Sequence, residues 1–470
     1  MKNELLTRLL QRIDEPAARF SVLDHYYHGT QPLSFLSNEA REALDNRFGR
    51  MATNIPRLAV TAMAERLRIT GFLTEGRKDT EIWSDWVNND LDQLAGVAHR
   101  EALTLGASYV LVWSRPDGRP QITIESAKQV AVERDPATRA ITAAVKRWST
   151  KTTTEAVLYE ADTITRYRSN TTGATTTGFH AIDTIKNPLG RPPVVALTNG
   201  DRILEDGVSE IDDLMPLVDA LNKILADMMV TSEYVGRPRR WAAGIEVEED
   251  ENGNPVNPYP EGNRMMLSED AETRFGQLDP ADLSGYEAAV RILLGQIMAV
   301  SALPSHYVGV FTNTPPSADA LRAAEASLTA RVESRQSQFG RGWEDVARLA
   351  TAVRTGRDPE SINVRVQWAE AATRSVAQEA DAIVKLHGAG LLPASVALRR
   401  LGYTDDELTE IRTARREERL DLSTAEITAR ADLAKQLTTN HGMSQPAALA
   451  AAGLFAAANE TRVDGGNTNV

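Results

Sequence analysis

Cysteine is absent from this chain of 470 residues, which excludes a disulfide framework and a thiolate zinc site and suits assembly in a reducing cytoplasm. No Gly-Lys dipeptide occurs, so the chain lacks the Walker A loop that cradles the phosphates of ATP. A Gly-x-Ser-x-Gly elbow and a His-Glu-x-x-His pair are missing too. His25 and His28 have helical spacing but no third ligand near them. We therefore expect no catalytic residue, no metal site and no cofactor.

Long apolar stretches and an excess of positive charge are also lacking. No uninterrupted apolar run reaches the length needed to span a membrane, so we expect no membrane partner. The 52 Lys and Arg residues face 65 Asp and Glu, which leaves a net charge of −13. This balance argues against a protein that holds nucleic acid by neutralising phosphates. Any contact with DNA must therefore rely on something other than neutralisation of its phosphates.

The pattern present over residues 1–208 combines helices with strands. Met1 to Arg12 has leucines at helical spacing among charges, which predicts an amphipathic helix and not a signal peptide. A later helix has Pro56 in its first turn and Gly71 as its left-handed end. Tyr109 to Ile124 alternates around a turn, which predicts a β-hairpin. Further strands are predicted around 130–133, 141–148 and 157–167. The fold class is therefore α+β, mostly helical.

Two long apolar helices, 209–232 and 280–303, flank a segment punctuated by glycine and proline. Ser209 and Asp212 have the spacing of a capping box at the first of them. Prolines then bound a loop at 304–316, and Ser317 caps a helix of nearly forty residues, which would span roughly 57 Å. Gly340 and Gly342 interrupt this helix and predict a kink. Four apolar side chains are expected to pack the two flanking helices: Leu221, Leu225, Leu293 and Ile297.

Four separate places in the chain carry local sequence that goes beyond simple periodicity. The first is Tyr26-Tyr27-His28-Gly29 with Leu33, and the second is Asn88 to Leu111, a helix, a glycine and a strand. The third is Asp206 to Met228, and the fourth begins at Val366-Gln367-Trp368. The informative residues of the last two are Ser209, Pro216, Asp219 and Asn222, then Ser375, Ala380-Asp381-Ala382, Lys385-Leu386 and Gly390. Together these four places resemble the portal proteins of tailed bacteriophages, of the siphovirus type.

The resemblance covers nearly the whole chain and implies the portal order of parts. These parts are a wing (1–208), stem helix 1 (209–232), a clip (233–279), stem helix 2 (280–303), a tunnel loop (304–316), a kinked spine helix with a wing strand (317–375), a helical crown (376–458) and a disordered tail (459–470).

The resemblance also implies a function without chemistry. Portal proteins form a ring, usually a dodecamer, at one capsid vertex of the virion, through which double-stranded DNA is packaged and ejected. The implied partners are the large subunit of the terminase, the head-completion or adaptor protein, and the major capsid and scaffolding proteins. Assembly of the ring in the host cytoplasm is expected.

Two segments are candidate functional sites on this reading. The tunnel loop would present Val310, Phe311, Thr312, Asn313 and Thr314 to DNA, and residues 304–316 contain no Lys, Arg, Asp or Glu. The alternative is a buried connector. The clip carries an acidic run that would dock the terminase, although a solvated hairpin tip is the ordinary interpretation of such a run. Its members are Glu248, Glu249, Asp250 and Glu251.

A different class of protein is also compatible with the pattern. A cytoplasmic scaffold or adaptor built of helices around a β-subdomain would show the same periodicities. The sequence does not determine whether the apolar faces of 209–232 and 280–303 pack inside one chain or against a neighbouring subunit.

Overall fold

The computed structural model describes residues 2–34, 52–203, 206–236, 240–244, 272–277, 283–310, 317–372, 376–403 and 405–452. The chain divides into two compact units, Met1–Thr373 and Arg374–Val470. The tail at 459–470 lies outside the described residues.

The described helices are numbered in chain order. They are α1 (Lys2–Asp14), α2 (Ala17–His28), α3 (Ile55–Ala64), α4 (Thr80–Asn88), α5 (Leu91–Leu105), α6 (Met215–Gly236), α7 (Ser284–Ser301), α8 (Ala318–Thr355), α9 (Val376–Gly388), α10 (Ala394–Arg400), α11 (Asp405–His441) and α12 (Gln445–Ala451).

The described strands are numbered in the same way. They are β1 (Ile69–Thr74), β2 (Arg77–Lys78), β3 (Ala107–Ser114), β4 (Pro120–Ser126), β5 (Val130–Arg134), β6 (Ile141–Ser149), β7 (Thr154–Glu160), β8 (Thr163–Ser169), β9 (His180–Lys186), β10 (Val194–Thr198), β11 (Arg240–Ala243), β12 (Arg274–Gln277) and β13 (Val364–Trp368).

An antiparallel five-stranded sheet, in the order β5-β6-β7-β8-β9, carries the N-terminal helix. The predicted amphipathic helix is confirmed as α1, and its leucines form a small core with the sheet. The single run predicted at 157–167 is in fact two strands, β7 and β8, joined by a turn at residues 161 and 162. The alternation of apolar and polar residues does not reveal a turn this tight, because the two-residue repeat continues without a break across it.

Two smaller sheets join parts of the chain that are far apart in sequence. The predicted hairpin is confirmed as β3 and β4, and β10 pairs with the other edge of β3. In the third sheet β1 lies between β2 and β13, so that Phe72 faces Val366 across nearly three hundred residues. The predicted cap at Gly71 is wrong: α3 ends at Ala64, and Gly71 lies within β1.

Helix α8 runs unbroken from Ala318 to Thr355 and is the longest described helix. Ser317 caps it as predicted, because its Oγ accepts a hydrogen bond from the Ala320 N–H at 3.2 Å. The helix stays α-helical through its two glycines, which lie where strands approach most closely. A Cβ on Gly340 would lie 3.2 Å from Trp368 Nε1, and one on Gly342 would lie 2.4 Å from Leu197 Cδ2. The glycines therefore permit close packing of α8 on β13 and β10.

A buried aromatic cluster fixes α8 to α4 and α5. Trp343 lies edge-on to Trp86 with ring centroids 4.9 Å apart, and its Nε1–H donates to His99 Nε2 at 2.8 Å. His99 also stacks on Phe339 at 5.4 Å. Burial lowers the pKa of His99 from 6.5 to about 3, so that the ring is neutral and its Nε2 can accept this hydrogen bond.

The second unit is helical throughout its described part, with α9, α10, α11 and α12. Its small core includes Ile383, Ala397, Leu408, Ala434 and Ala448. Many of its larger apolar side chains remain exposed, among them Leu391 at 73% and Ile427 at 58%. The apolar area buried by the described side chains of this unit is small, so they contribute little stability through its core.

Candidate functional site

Helices α6 and α7 form a hairpin, called here the stem hairpin, whose base contacts the N-terminal helices. The Tyr26 hydroxyl donates to Asp219 Oδ2 at 2.8 Å, and the Ser34 hydroxyl donates to the same atom at 2.9 Å. Thr53 donates through its backbone N–H and its hydroxyl to Asn222 Oδ1, at 2.9 Å each. Burial and the Asp219 carboxylate raise the pKa of Tyr26, so the phenol remains a donor. Residues quoted for the resemblance at 26 and at 219 and 222 therefore form one polar contact region.

The start of the stem hairpin differs from its predicted boundary. Asp212 Oδ2 accepts from the Ser209 N–H at 3.1 Å, as in a capping box, while Ser209 Oγ accepts from the Ile211 N–H at 3.1 Å. These bonds close the turn that leads into a short 3₁₀ helix, Asp212–Leu214, and α6 begins only at Met215. The helix also continues to Gly236, beyond the predicted end at 232. The predicted range 280–303 contains all of α7.

A buried arginine joins the base of the stem hairpin to α8. Arg335 donates to Glu210 Oε1 from Nη2 at 2.8 Å and to Asp201 Oδ1 from Nη1 at 2.8 Å. The side chains of Arg335 and Glu210 are each 9% exposed. The hydrogen bond from Arg335 lowers the pKa of Asp201, which favours the ionised form of this carboxyl beside the guanidinium. Removal of Glu210 would take the buried carboxylate partner from the buried Arg335 guanidinium and leave it only the exposed Asp201.

The four side chains predicted to pack the stem helices all lie in or against the chain's own main core. Leu221 and Ile297 are fully buried there, whereas Leu225 and Leu293 are half-buried at its edge. The two helices also meet farther from the base, where Thr231 Oγ1 lies 3.1 Å from the Tyr286 hydroxyl. Large apolar side chains that point away from this core include Ile292, 66% exposed, and Met229, 41% exposed.

The loop after α7 is anchored over its first half. A 3₁₀ turn, Ser305–Val308, follows the helix, and Arg66 donates to the Tyr307 hydroxyl at 3.0 Å. Glu325 of α8 pairs with Arg66 at 3.2 Å, and its Oε1 lies 3.5 Å from His306 Nε2. Val310 is half-buried, and its N–H donates to the Ser305 carbonyl at 3.0 Å. The other predicted loop residues, Phe311, Thr312, Asn313 and Thr314, lie outside the described residues.

The segment between the stem helices contains a strand pair. Strands β11 and β12 are antiparallel, with Trp241 opposite Gly276. A Cβ on Gly276 would lie 2.4 Å from the Trp241 ring, so glycine is required for the indole to lie across this strand. The predicted docking residues Glu248, Glu249, Asp250 and Glu251 lie outside the described residues.

The described part of the chain offers no group of three His, Asp or Glu side chains placed to hold a metal ion. His25 Nδ1 instead lies 2.9 Å from Thr30 Oγ1, and His28 Nδ1 lies 2.9 Å from the Asp24 carbonyl. Among the same residues, no helix is both long enough and apolar enough to cross a membrane.

Comparison with known proteins identifies relatives along most of the chain. A family model described as phage portal protein, SPP1 Gp6-like, matches residues 6–421. The portal protein of Mycobacterium phage D29 is 33% identical over 379 residues, which cover 76% of this chain and 77% of that protein. The portal protein of Mycobacterium phage L5 is 32% identical over 383 residues, with the same coverage of each chain.

Solved structures with a similar chain include the neck of an empty gene transfer agent particle computed with C6 symmetry. That chain is 14% identical, with a TM-score of 0.46, and the match covers 80% of this chain and 96% of the neck chain. The family match spans the stem hairpin, the loop that follows it, α8 and the start of α11. This chain therefore belongs to the phage portal protein family of the SPP1 Gp6-like type.

Proposed function

We propose that this chain assembles into a closed ring at one vertex of the capsid, through which double-stranded DNA is packaged and later ejected. The observation that carries the proposal is the family match over residues 6–421, which includes every part of the stem hairpin and α8. The same match favours this function over that of a cytoplasmic helical scaffold. The ring forms in the host cytoplasm, a reducing compartment that suits a chain without cysteine, and acts in the virion without chemistry of its own.

The charge of the chain suits a channel along which DNA slides. Each Lys or Arg that pairs with a phosphate adds counterion-release free energy at one position of the duplex and so opposes movement. A net charge of −13 per subunit, repeated around a ring, gives a wall that does not hold DNA in this way. Translocation then depends on a separate motor, because the sequence has no Walker A loop.

The loop after α7 is proposed to contact the DNA. Its first half is fixed by Arg66 and Glu325 at Tyr307 and His306, so the chain leaves α7 from a defined position. Residues Val310 to Thr314 carry hydroxyl, amide and apolar groups but no charge. Such side chains can hydrogen-bond to phosphate oxygens but add no counterion-release free energy, so they hold the duplex only weakly at any one position.

Placing lysine at Asn313 and Thr314 tests this role. The double variant should form rings but package DNA more slowly, and the slowing should be greater at low salt, where attraction to phosphate is least screened. The measurement is the DNA packaged per prohead over time at two salt concentrations. A neutral variant with Asn313→Gln and Thr314→Ser serves as the control and should package at the wild-type rate. Wild-type rates for the lysine variant at both salts would show that the loop does not face DNA.

The clip, 233–279, is proposed to dock the large subunit of the terminase and, after packaging, the head-completion or adaptor protein. The strand pair β11 and β12 gives this segment a folded base, and the acidic run can complement a basic partner surface. The wing, with its three sheets, is proposed to meet the major capsid and scaffolding proteins.

Replacement of Glu248, Glu249, Asp250 and Glu251 by serine tests the role of the acidic run. Rings should remain intact, while the terminase large subunit retained in a pull-down should fall. A variant with Glu272→Ser, which changes an acidic residue beside the strand pair, is the matched control and should retain the terminase. Equal retention by all three proteins would remove the acidic run from the docking surface.

A further inference from the structure

Helix α11 presents a group of exposed arginines on one of its faces. Arg412, Arg415 and Arg416 are all exposed, and spacings of three and four residues place them on the same side of the helix. At about 100° per residue they occupy an arc of about 100°. Arg419 follows in the sequence, seven residues after the first of them. The surface formed by Arg412, Arg415 and Arg416 is called here the arginine stripe.

The arginine stripe is not neutralised by the described part of the chain, where none of its three members forms an ion pair. The positions four residues before and after each member hold only Leu, Ile or Arg, so the usual acidic partner one turn away is missing. Such pairs do form on other helices, between Lys223 and Asp227 and between Asp381 and Lys385. The stripe is therefore a local positive surface in a chain whose net charge is −13.

The composition of this face indicates what it binds. Glu410, Glu417 and Glu418 lie about 110–170° around the helix from the centre of the stripe, and between residues 411 and 418 the stripe itself contains no apolar side chain. The centre of a protein interface contains apolar and aromatic anchors and few charges, whereas a surface that binds nucleic acid is strongly positive. A face made only of arginine therefore favours a phosphate backbone over a protein partner.

The helix that presents the stripe is supported on both sides of it. Leu408, one turn before Arg412, is buried in the small core of the second unit, and Ala434 is buried towards the other end, where α12 packs with Ala448. Arg412 and Arg416 are about 6 Å apart along the axis. Because duplex DNA carries a phosphate for about every 1.7 Å of its length, one duplex offers phosphates to the whole stripe.

We propose that the arginine stripe of α11 binds the phosphate backbone of duplex DNA. Guanidinium groups suit this role because they donate two parallel hydrogen bonds to a phosphate and remain charged at any physiological pH. The proposal rests on the proposed function, which brings DNA to the ring. It adds one local surface that holds DNA to a chain whose net charge is otherwise suited to sliding. Contacts to phosphate make this binding independent of base sequence and strongly dependent on salt.

Replacement of the three arginines by glutamine tests the proposal in the full-length protein. Glutamine keeps a high helix propensity while removing the charge. The probe is a fluorescent duplex of about thirty base pairs, and its affinity is measured by anisotropy between about 50 mM and about 200 mM salt. We expect the stripe variant to bind at least about tenfold more weakly at the lower salt. The slope of log affinity against log salt should fall by up to about 0.9 for each arginine removed.

A matched control removes the same charge from exposed positions outside α11, as Arg77→Gln, Arg139→Gln and Arg357→Gln. This control should bind the duplex as the wild type does. An equal loss in both variants would mean that only net charge matters, and wild-type affinity in the stripe variant would mean that the stripe does not hold DNA. Either result would overturn the proposal.

Two further measurements separate DNA from the other partners that an arginine face could have. Poly-glutamate at equal total charge should displace little of the bound duplex, and ready displacement would assign the stripe to an acidic polypeptide instead. Native mass spectrometry of the same samples should show rings for all three proteins. Loss of rings in the stripe variant alone would mean that these arginines hold a neighbouring copy and would overturn the assignment to DNA. Absence of rings from the wild type would instead contradict the proposed function.

Discussion

At the scale of single residues, buried polar side chains fix the helices that meet at the base of the stem hairpin. Asp219 accepts from Tyr26 and Ser34, and Arg335 bridges Glu210 and Asp201. Tyr26 and Asp219 were recognisable in the sequence from the family resemblance, whereas Arg335 was not. Nothing in the spacing of a single arginine on a helix predicts that it is buried, because its carboxylate partners lie more than a hundred residues away.

His99 gives the fold a dependence on pH. Its pKa is about 3 in the folded chain and 6.5 when exposed, so between these values the unfolded chain binds a proton that the folded chain does not. The stability that the neutral ring contributes is therefore fully present above pH 6.5 and is lost as the pH falls, by up to about 1.4 kcal/mol per pH unit. We expect the urea midpoint of the wild type to fall more between pH 7 and pH 5 than that of His99→Gln, which keeps an acceptor near Trp343. Parallel falls in the two proteins would show that His99 does not titrate in this way.

At the scale of elements, local sequence patterns were sufficient to predict features formed by residues close together in the chain. The cap at Ser317, the hairpin of β3 and β4 and the amphipathic α1 were all predicted and are confirmed. The pairing of β1 with β13 was not predicted, because strand partners distant in sequence leave no mark on the alternation of either strand. The glycines of α8 predicted a kink from sequence. They lie in close contact with β10 and β13, which local sequence does not reveal because these strands are distant along the chain.

Alanine at two helical glycines tests that interpretation. A Cβ at Gly342 meets Leu197 Cδ2 at 2.4 Å, and overpacking of this kind costs about 1–3 kcal/mol, more than the gain in helix propensity of about 1 kcal/mol. A Cβ at Gly96 in α5 meets nothing within 4 Å. We therefore expect Gly342→Ala to lower the melting temperature and Gly96→Ala to raise it. A rise in both would mean that Gly342 is not required for contact with β10.

At the scale of the whole molecule, the family match extends over residues 6–421 and includes both candidate sites. The structure describes the loop up to Val310 and describes the strand pair β11 and β12 of the clip. The sequence identified both segments through their composition and order, and it could not determine which side chains face a neighbour. Leu221 and Ile297 are buried within the chain, so their face of the stem hairpin belongs to its own core. The face with Ile292 is the one left for contacts outside that core.

Ring assembly is the central claim, and native mass spectrometry of the purified full-length protein tests it most directly. We expect one closed oligomer whose mass is a whole multiple of the 51.4 kDa chain, at or near twelve copies. The mass should not change with dilution over the working range, because each subunit of a closed ring has two neighbours. A stable monomer across that range would contradict the account.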